Sequence, residues 1–146
     1  VNPFLSLPEY EEFIYTLPQH YPAIAVSTLV VVRRGASQAT VAGILTFAAG
    51  YQLVVRERLT AEDGLVRLER YSYEGWRNLE ILYWYDSQAH PNNPALALNH
   101  PHHKHVPPDI KHNRIPAPGL SFTQANLPFL IHEIEQILLL HSPVTG

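Results

Sequence analysis

Apolar positions along the chain follow two different periods, and the period changes twice. Near the start, Tyr10, Phe13, Ile14 and Leu17 recur at i, i+3, i+4 and i+7, which is one stripe of a helix. Ser6 stands three residues before Glu9, the spacing of a capping box, and Pro8 is tolerated in a first turn. A short helix over about 7–17 is therefore predicted, stopped by Pro18, with "PQHYP" as a connector. From about 24 to 86 the pattern is that of strands. "AIAVSTLVVVRR" is rich in β-branched residues and ends at Gly35. "ATVAGILTF" and "YQLVVRERL" flank "AAG", where Gly50 can supply the positive φ of a short hairpin loop. "EDG" at 62–64 reads as the next turn, and "LVRLERYSYEG" and "NLEILYWYD" follow, split near Gly75. Val66 and Leu68 alternate with Arg67 and Glu69, as in a sheet with one wet and one covered face. Helical spacing returns at the end, where Leu130, Ile131, Ile134, Ile137 and Leu138 form a face behind Asn126, a cap candidate, and Pro128. The expected fold is α+β: an antiparallel meander of four to five strands, covered by a short N-terminal helix and a longer C-terminal helix over about 127–141.

Composition narrows this picture. With 146 residues, 46% of them apolar and 16% charged, the chain is expected to form a single domain with a real core. A net charge of −3 excludes a global basic field for nucleic acid, so any such contact has to be local. There is no cysteine, which removes disulfides, thiolate nucleophiles and cysteine-type zinc sites. No apolar run is long enough to span a bilayer, and the acidic start "VNPFLSLPEYEE" lacks the basic region of a secretory signal. A cytoplasmic protein with no membrane partner is expected.

The candidate chemistry lies between strands and last helix. Residues 87–121 hold seven prolines, which exclude a long helix, and a loop of this length in a small domain is often functional. Within it, "HPHHKHVPPDIKH" (100–112) gathers five of the nine histidines. Acid–base catalysis is one reading: His102, His103 and His105 as proton carriers, Asp86 orienting an imidazole, and His100, Lys104, Lys111 and Arg114 holding phosphate. RNA cleavage by its own 2′-OH needs such an acid–base pair plus cations, and the rings of Tyr83, Trp84 and Tyr85 can stack on bases. This reading requires no cofactor. A metal site of the zinc type, built on His100, His102, His103 and His105, is the alternative. An extended backbone puts His100 and His102 on one face and His103 and His105 on the other, so a mononuclear site takes two from one face and a third ligand from His90, His112 or Asp86. A solvated histidine-rich loop is the bland reading. Elsewhere, the charges of "VRERL" at 55–59 suit a solvated edge strand, although Arg56 and Arg58 share a face that can meet a phosphate.

"YWYD" followed by "HPHHKHVPP" and a C-terminal amphipathic helix resembles the TumE-type toxin family of bacterial toxin–antitoxin systems, in a cyanobacterial-like branch. The "NPFL" start, the "FAAGYQLVVRE" hairpin and the "EDG" turn are similar as well. Tyr85, Asp86, His102, His103, Lys104 and His105 are the residues that match the family's motif. The resemblance implies a toxin encoded beside a small antitoxin that neutralises it. Combined with the histidine cluster, it makes a metal-independent endoribonuclease the leading expectation. A metal-dependent hydrolase and a non-catalytic docking module are the alternatives. An exposed sheet edge can pair with an antitoxin segment or with a second copy in a homodimer.

Overall fold

The computed structural model describes residues 2–62, 64–87 and 102–141. His90 and His100 therefore lie outside the described residues. The chain begins with α1 (Leu7–Tyr15), whose N-cap Ser6 accepts a hydrogen bond from the Glu9 N–H at 3.2 Å. Leu7, Tyr10 and Ile14 form its buried side. Pro18 does not simply end this helix. It sits in the first turn of a separate helical turn, α2 (Leu17–His20), where a proline's missing N–H has no partner to lose.

The sheet is antiparallel throughout. Its long members are β3 (Gln38–Thr46), β4 (Tyr51–Glu62), β5 (Leu65–Arg77) and β6 (Glu80–Asp86), joined as a meander. Two short strands, β1 (Val26–Ser27) and β2 (Val30–Arg34), both pair with β3, so "AIAVSTLVVVRR" is one run interrupted at Thr28–Leu29. The sheet also extends past Asp86, where the sequence pattern suggested only loop. β7 (His103–His105) pairs with β6, and β8 (Arg114–Pro116) pairs with β7.

Turn chemistry holds the hairpins together. Between β3 and β4, Ala49 and Gly50 both have positive φ, and a Cβ on Gly50 would lie 2.1 Å from Asn78 Oδ1. Gly75 does not split a strand. β5 runs through it, and its bare Cα leaves room for the Tyr83 ring, 2.3 Å from where a Cβ would stand.

Residues paired directly across antiparallel strands share a face. Along β4 the odd positions Tyr51, Leu53, Val55, Glu57 and Leu59 are buried, and the even positions open outward. The buried face packs on α1 and on α3 (Leu127–His141), around Ile14, Leu17, Leu45, Leu53, Leu130 and Ile134. An ionisable residue, Glu57, lies inside this core. Glu57 accepts hydrogen bonds from the hydroxyls of Tyr10 and Tyr73, and Asn126 at the start of α3 donates to Tyr73 at 3.3 Å. The side-chain oxygen of Asn126 is bonded by the Ser121 N–H at 2.9 Å, which ties down the loop leading into α3. Among the described residues no helix is long and apolar enough to cross a membrane.

Candidate metal centre

Strand pairing assembles the site. Asp86 ends β6 opposite His103, and Trp84 stands opposite His105, so all four share the outer face of the sheet. Alternation places Tyr85 and Lys104, also paired, on the inner face. The sixteen residues between Asp86 and His103 are bridged by register, not by sequence proximity.

On the outer face, one carboxylate meets two imidazoles. Asp86 Oδ1 lies 2.5 Å from His103 Nε2, and Oδ2 lies 3.1 Å from His105 Nε2. The three side chains are buried, at 8%, 1% and 2% exposure. His105 is held from two further directions. Its ring stacks on Trp84 at 4.2 Å, with Trp84 anchored through Nε1–H to Ser72 Oγ at 2.9 Å. Its Nδ1 lies 2.7 Å from the Ile110 carbonyl oxygen. A carbonyl can only accept, so Nδ1 carries the proton, and in a neutral ring Nε2 presents its lone pair to Asp86. A lone pair facing a carboxylate oxygen at 3.1 Å is repulsive unless a cation joins them. A proton or a metal ion between Nε2 and Oδ2 removes that repulsion.

The donor chemistry fits a metal. Asp86, His103 and His105 each offer one ligand atom, and these atoms lie within 4.8 Å of one another. Two imidazoles and a carboxylate are a common ligand set for zinc and related divalent ions. A backbone carbonyl on the distal nitrogen is the usual device for orienting a metal-bound histidine. The expectation of a site working without a cofactor is thereby corrected: burial brings three metal-type donors together on one face, as a candidate metal site. The set is the expected pair from one face, His103 and His105, with Asp86 as the third donor; of the four-histidine alternative, alternation turns His102 away and His100 lies outside the described residues.

The other candidate residues are placed elsewhere. His102 packs against Phe122 with ring centroids at 4.5 Å, and its Nδ1 lies 2.5 Å from the Tyr71 hydroxyl. Burial first, and the neighbouring His103 second, hold its pKa below the ordinary 6.5. Tyr85 donates to Glu133 of α3 at 2.8 Å, and Lys104 reaches the same oxygen at 3.2 Å. The Lys104 ammonium also lies over the rings of Tyr83 and Tyr85, at 4.7 and 5.0 Å. Burial, with Glu133 beside them, pushes both tyrosine hydroxyls well above their ordinary range. This inner cluster clamps α3 onto β6 and β7. Lys111 and His112 are exposed in the turn after Asp109, where His112 pairs with Asp109 at 2.9 Å. Arg114 stands opposite His105 on β8.

Sequence reasoning missed three contributors: the Ile110 carbonyl, the Trp84–Ser72 brace and Glu133. A backbone carbonyl leaves no trace in residue identity, and the other two act through pairings between distant segments.

A family model described as Toxin TumE matches residues 13–138. The chain belongs to the TumE toxin family. No curated protein and no solved structure matched the chain significantly. The metal-type cluster of this TumE-family chain therefore stands on its own geometry. A buried histidine–aspartate cluster of this kind is consistent with a catalytic or metal-binding site.

Proposed function

We propose that this TumE-family protein is a toxin whose effector centre is a divalent transition metal held by Asp86, His103 and His105. We further propose that it hydrolyses a phosphodiester, with RNA as the substrate, and that a cognate antitoxin restrains it in the cytoplasm. The observation that carries the metal reading is the bonding of His105. With Nδ1–H spent on the Ile110 carbonyl, its Nε2 and the Asp86 oxygen 3.1 Å away are joined by a proton or by a metal ion, and His103 beside them completes a donor set of the metal-binding type. Among the described residues three protein donors come together, the number that hydrolytic zinc sites use. A bound ion supplies Lewis-acid charge to a phosphoryl oxygen and makes water a better nucleophile. The chain's own residues do the positioning: Asp86 and His103 are locked by strand pairing, and His105 by Trp84 and Ile110. Arg114, opposite His105, is the nearest cation by register.

The near-complete burial of the three ligands favours a second role for the same ion, pinning β7 to β6. The two roles separate experimentally. Untagged protein is purified and its metal content measured, then the metal is removed with chelator. Stoichiometric zinc, manganese or a related ion in the wild type, absent from the His103→Ala, His105→Ala double variant, is the expected result. RNA degradation lost on chelation of a still-folded protein supports the hydrolytic centre, whereas unfolding on chelation supports the pin. Metal-free wild type that gains neither ion nor thermal stability on addition of divalent metals refutes both.

A further inference from the structure

The outer face of the sheet carries a second feature, two strands from the metal centre. A groove of about 500 Å³ is lined by Arg34, Thr40, Arg56, Arg58, Arg70 and Ser72 among others. Four of the chain's ten basic residues line it, in a protein whose net charge is −3. Arg34, Arg56 and Arg70 are exposed, and Arg58 is half-exposed. Glu69 pairs with Arg58 at 2.9 Å and offsets one of these charges. Glu57 also borders the groove, but its carboxyl is turned into the core toward Tyr10 and Tyr73. The local field is therefore positive, opposite to that of the whole molecule.

The register makes this arrangement costly. Arg58 and Arg70 are direct cross-strand partners, at the point where a bulge shifts the pairing of β4 with β5. Like charges placed opposite each other destabilise a sheet. Small side chains floor the groove beside them: Thr40 opposite Arg58, and Ala42 and Ser72 on either side of Arg56. Such a floor leaves the guanidinium groups standing as walls around a space sized for a narrow anionic chain.

The groove and the metal centre lie on one line. Ala42, Arg56, Ser72, Asp86, His103 and Pro116 are successive partners across five strand pairs, all on the outer face. At a strand spacing of about 4.8 Å, Arg56 and Asp86 are roughly 10 Å apart at the backbone. Ser72 belongs to both features, since it lines the groove and its Oγ anchors Trp84, on which His105 stacks.

We propose that this arginine groove binds the sugar–phosphate backbone of single-stranded RNA and delivers it to Asp86, His103 and His105. The proposal rests on the reading of those three residues as a phosphodiester-hydrolysing centre. Guanidinium groups match phosphate through paired N–H donors, and the row ends at donors for a metal that acts on phosphodiesters. An acidic protein segment has no equivalent reason to lie along a line leading to a metal site.

The test is fluorescence anisotropy with a short labelled single-stranded RNA of mixed sequence, at several salt concentrations. The groove variant is Arg56→Gln with Arg70→Gln. The charge-matched control is Arg33→Gln with Arg77→Gln, because Arg33 pairs with Glu11 and Arg77 lies over Tyr51. The groove variant is expected to bind on the order of tenfold more weakly, with a salt slope shallower by about 1.4, since each lost phosphate contact on a single strand contributes about 0.7. The control is expected to bind like the wild type. Equal loss in both variants, no loss in either, or no RNA binding by the wild type overturns the proposal. So does displacement of the RNA by poly-glutamate at matched charge concentration, which assigns the groove to acidic protein. Metal content of the groove variant, and RNA binding by the His103→Ala, His105→Ala variant, separate the two readings. A groove that binds RNA without a metal in the protein keeps the RNA-binding part of this inference, and removes both the hydrolytic centre and delivery to it.

Discussion

Replacing Asp86 with asparagine tests the metal centre most directly. The substitution keeps the shape of the side chain and removes one charge. Asp86 uses both oxygens, one toward each Nε2. Asparagine has a single acceptor, so one imidazole then faces an NH2 group, and neither faces a carboxylate. A hydrogen bond to a charged group contributes about 1.5–3 kcal/mol, and a buried polar atom left without a partner costs about 1–3 kcal/mol more. The sum, about 2.5–6 kcal/mol, brackets the usual cost of about 3–5 kcal/mol for breaking a buried ion pair from one side. For a chain of this size each kcal/mol shifts Tm by about 2–4 °C, so a fall of roughly 10 °C is expected. A bound ion adds to the difference, because metal at a hundred times its Kd stabilises the folded state by about 2.7 kcal/mol. The assay is thermal melting followed by circular dichroism, with and without chelator and with zinc or manganese restored. The wild type should lose stability on chelation and regain it with metal, and Asp86→Asn should respond to neither. A variant that melts within about 2 °C of the wild type, or that keeps the full metal response, refutes the coupling of Asp86 to the two histidines.

Other predictions concern the groups around that centre. Burial raises the pKa of Glu57 above the ordinary 4.5, against the pull of the Tyr10 and Tyr73 hydroxyls, so the folded state keeps a proton that the unfolded chain releases. The associated stability is present below about pH 4.5 and is lost as pH rises through the folded value, at about 1.4 kcal/mol per unit of difference. Glu57→Gln should flatten that dependence in denaturant titrations run across pH, and an unchanged slope would exclude Glu57 as its source. Lys104→Ala removes a partly buried pair with Glu133 and two ring contacts. About 1–2 kcal/mol of stability should be lost with metal content unchanged, because Lys104 faces away from the histidines; a fall in bound metal would contradict that placement. Gly75→Ala places a methyl 2.3 Å from a Tyr83 ring carbon. A cost of about 1–3 kcal/mol in denaturant unfolding is expected, and a neutral result would mean that the ring moves aside freely.

Local signals made much of this fold legible in advance. The Ser6 cap, Pro8 and a stripe at helical spacing are contained within α1, and the Gly50 hairpin and the apolar face of α3 are equally local. Alternation alone separated His103 and His105 from His102, because side-chain direction in a strand depends only on position parity. Parity does not say which strand lies alongside. That β7 pairs with β6 is a contact between segments sixteen residues apart, and it alone decides that Asp86 meets His103 rather than solvent. The same pairing sends Lys104 and Tyr85 to Glu133, although their neighbours in sequence serve the opposite face. Arg56 and Arg58 were visible as one face of a strand, but β4 is central in the sheet and not at its edge. Only the bulge in β4–β5 pairing sets Arg58 against Arg70 and makes a groove from separate charges. The sequence by itself determined the two main helices, the long strands, their order and the facing of each side chain within its strand, since those follow from backbone geometry over a few residues; the three-residue strands β7 and β8 carry too little pattern to be seen that way. Tertiary structure decided which faces meet, and with them the metal-type donor set and the arginine groove, because strand register is set by the packing of the whole sheet.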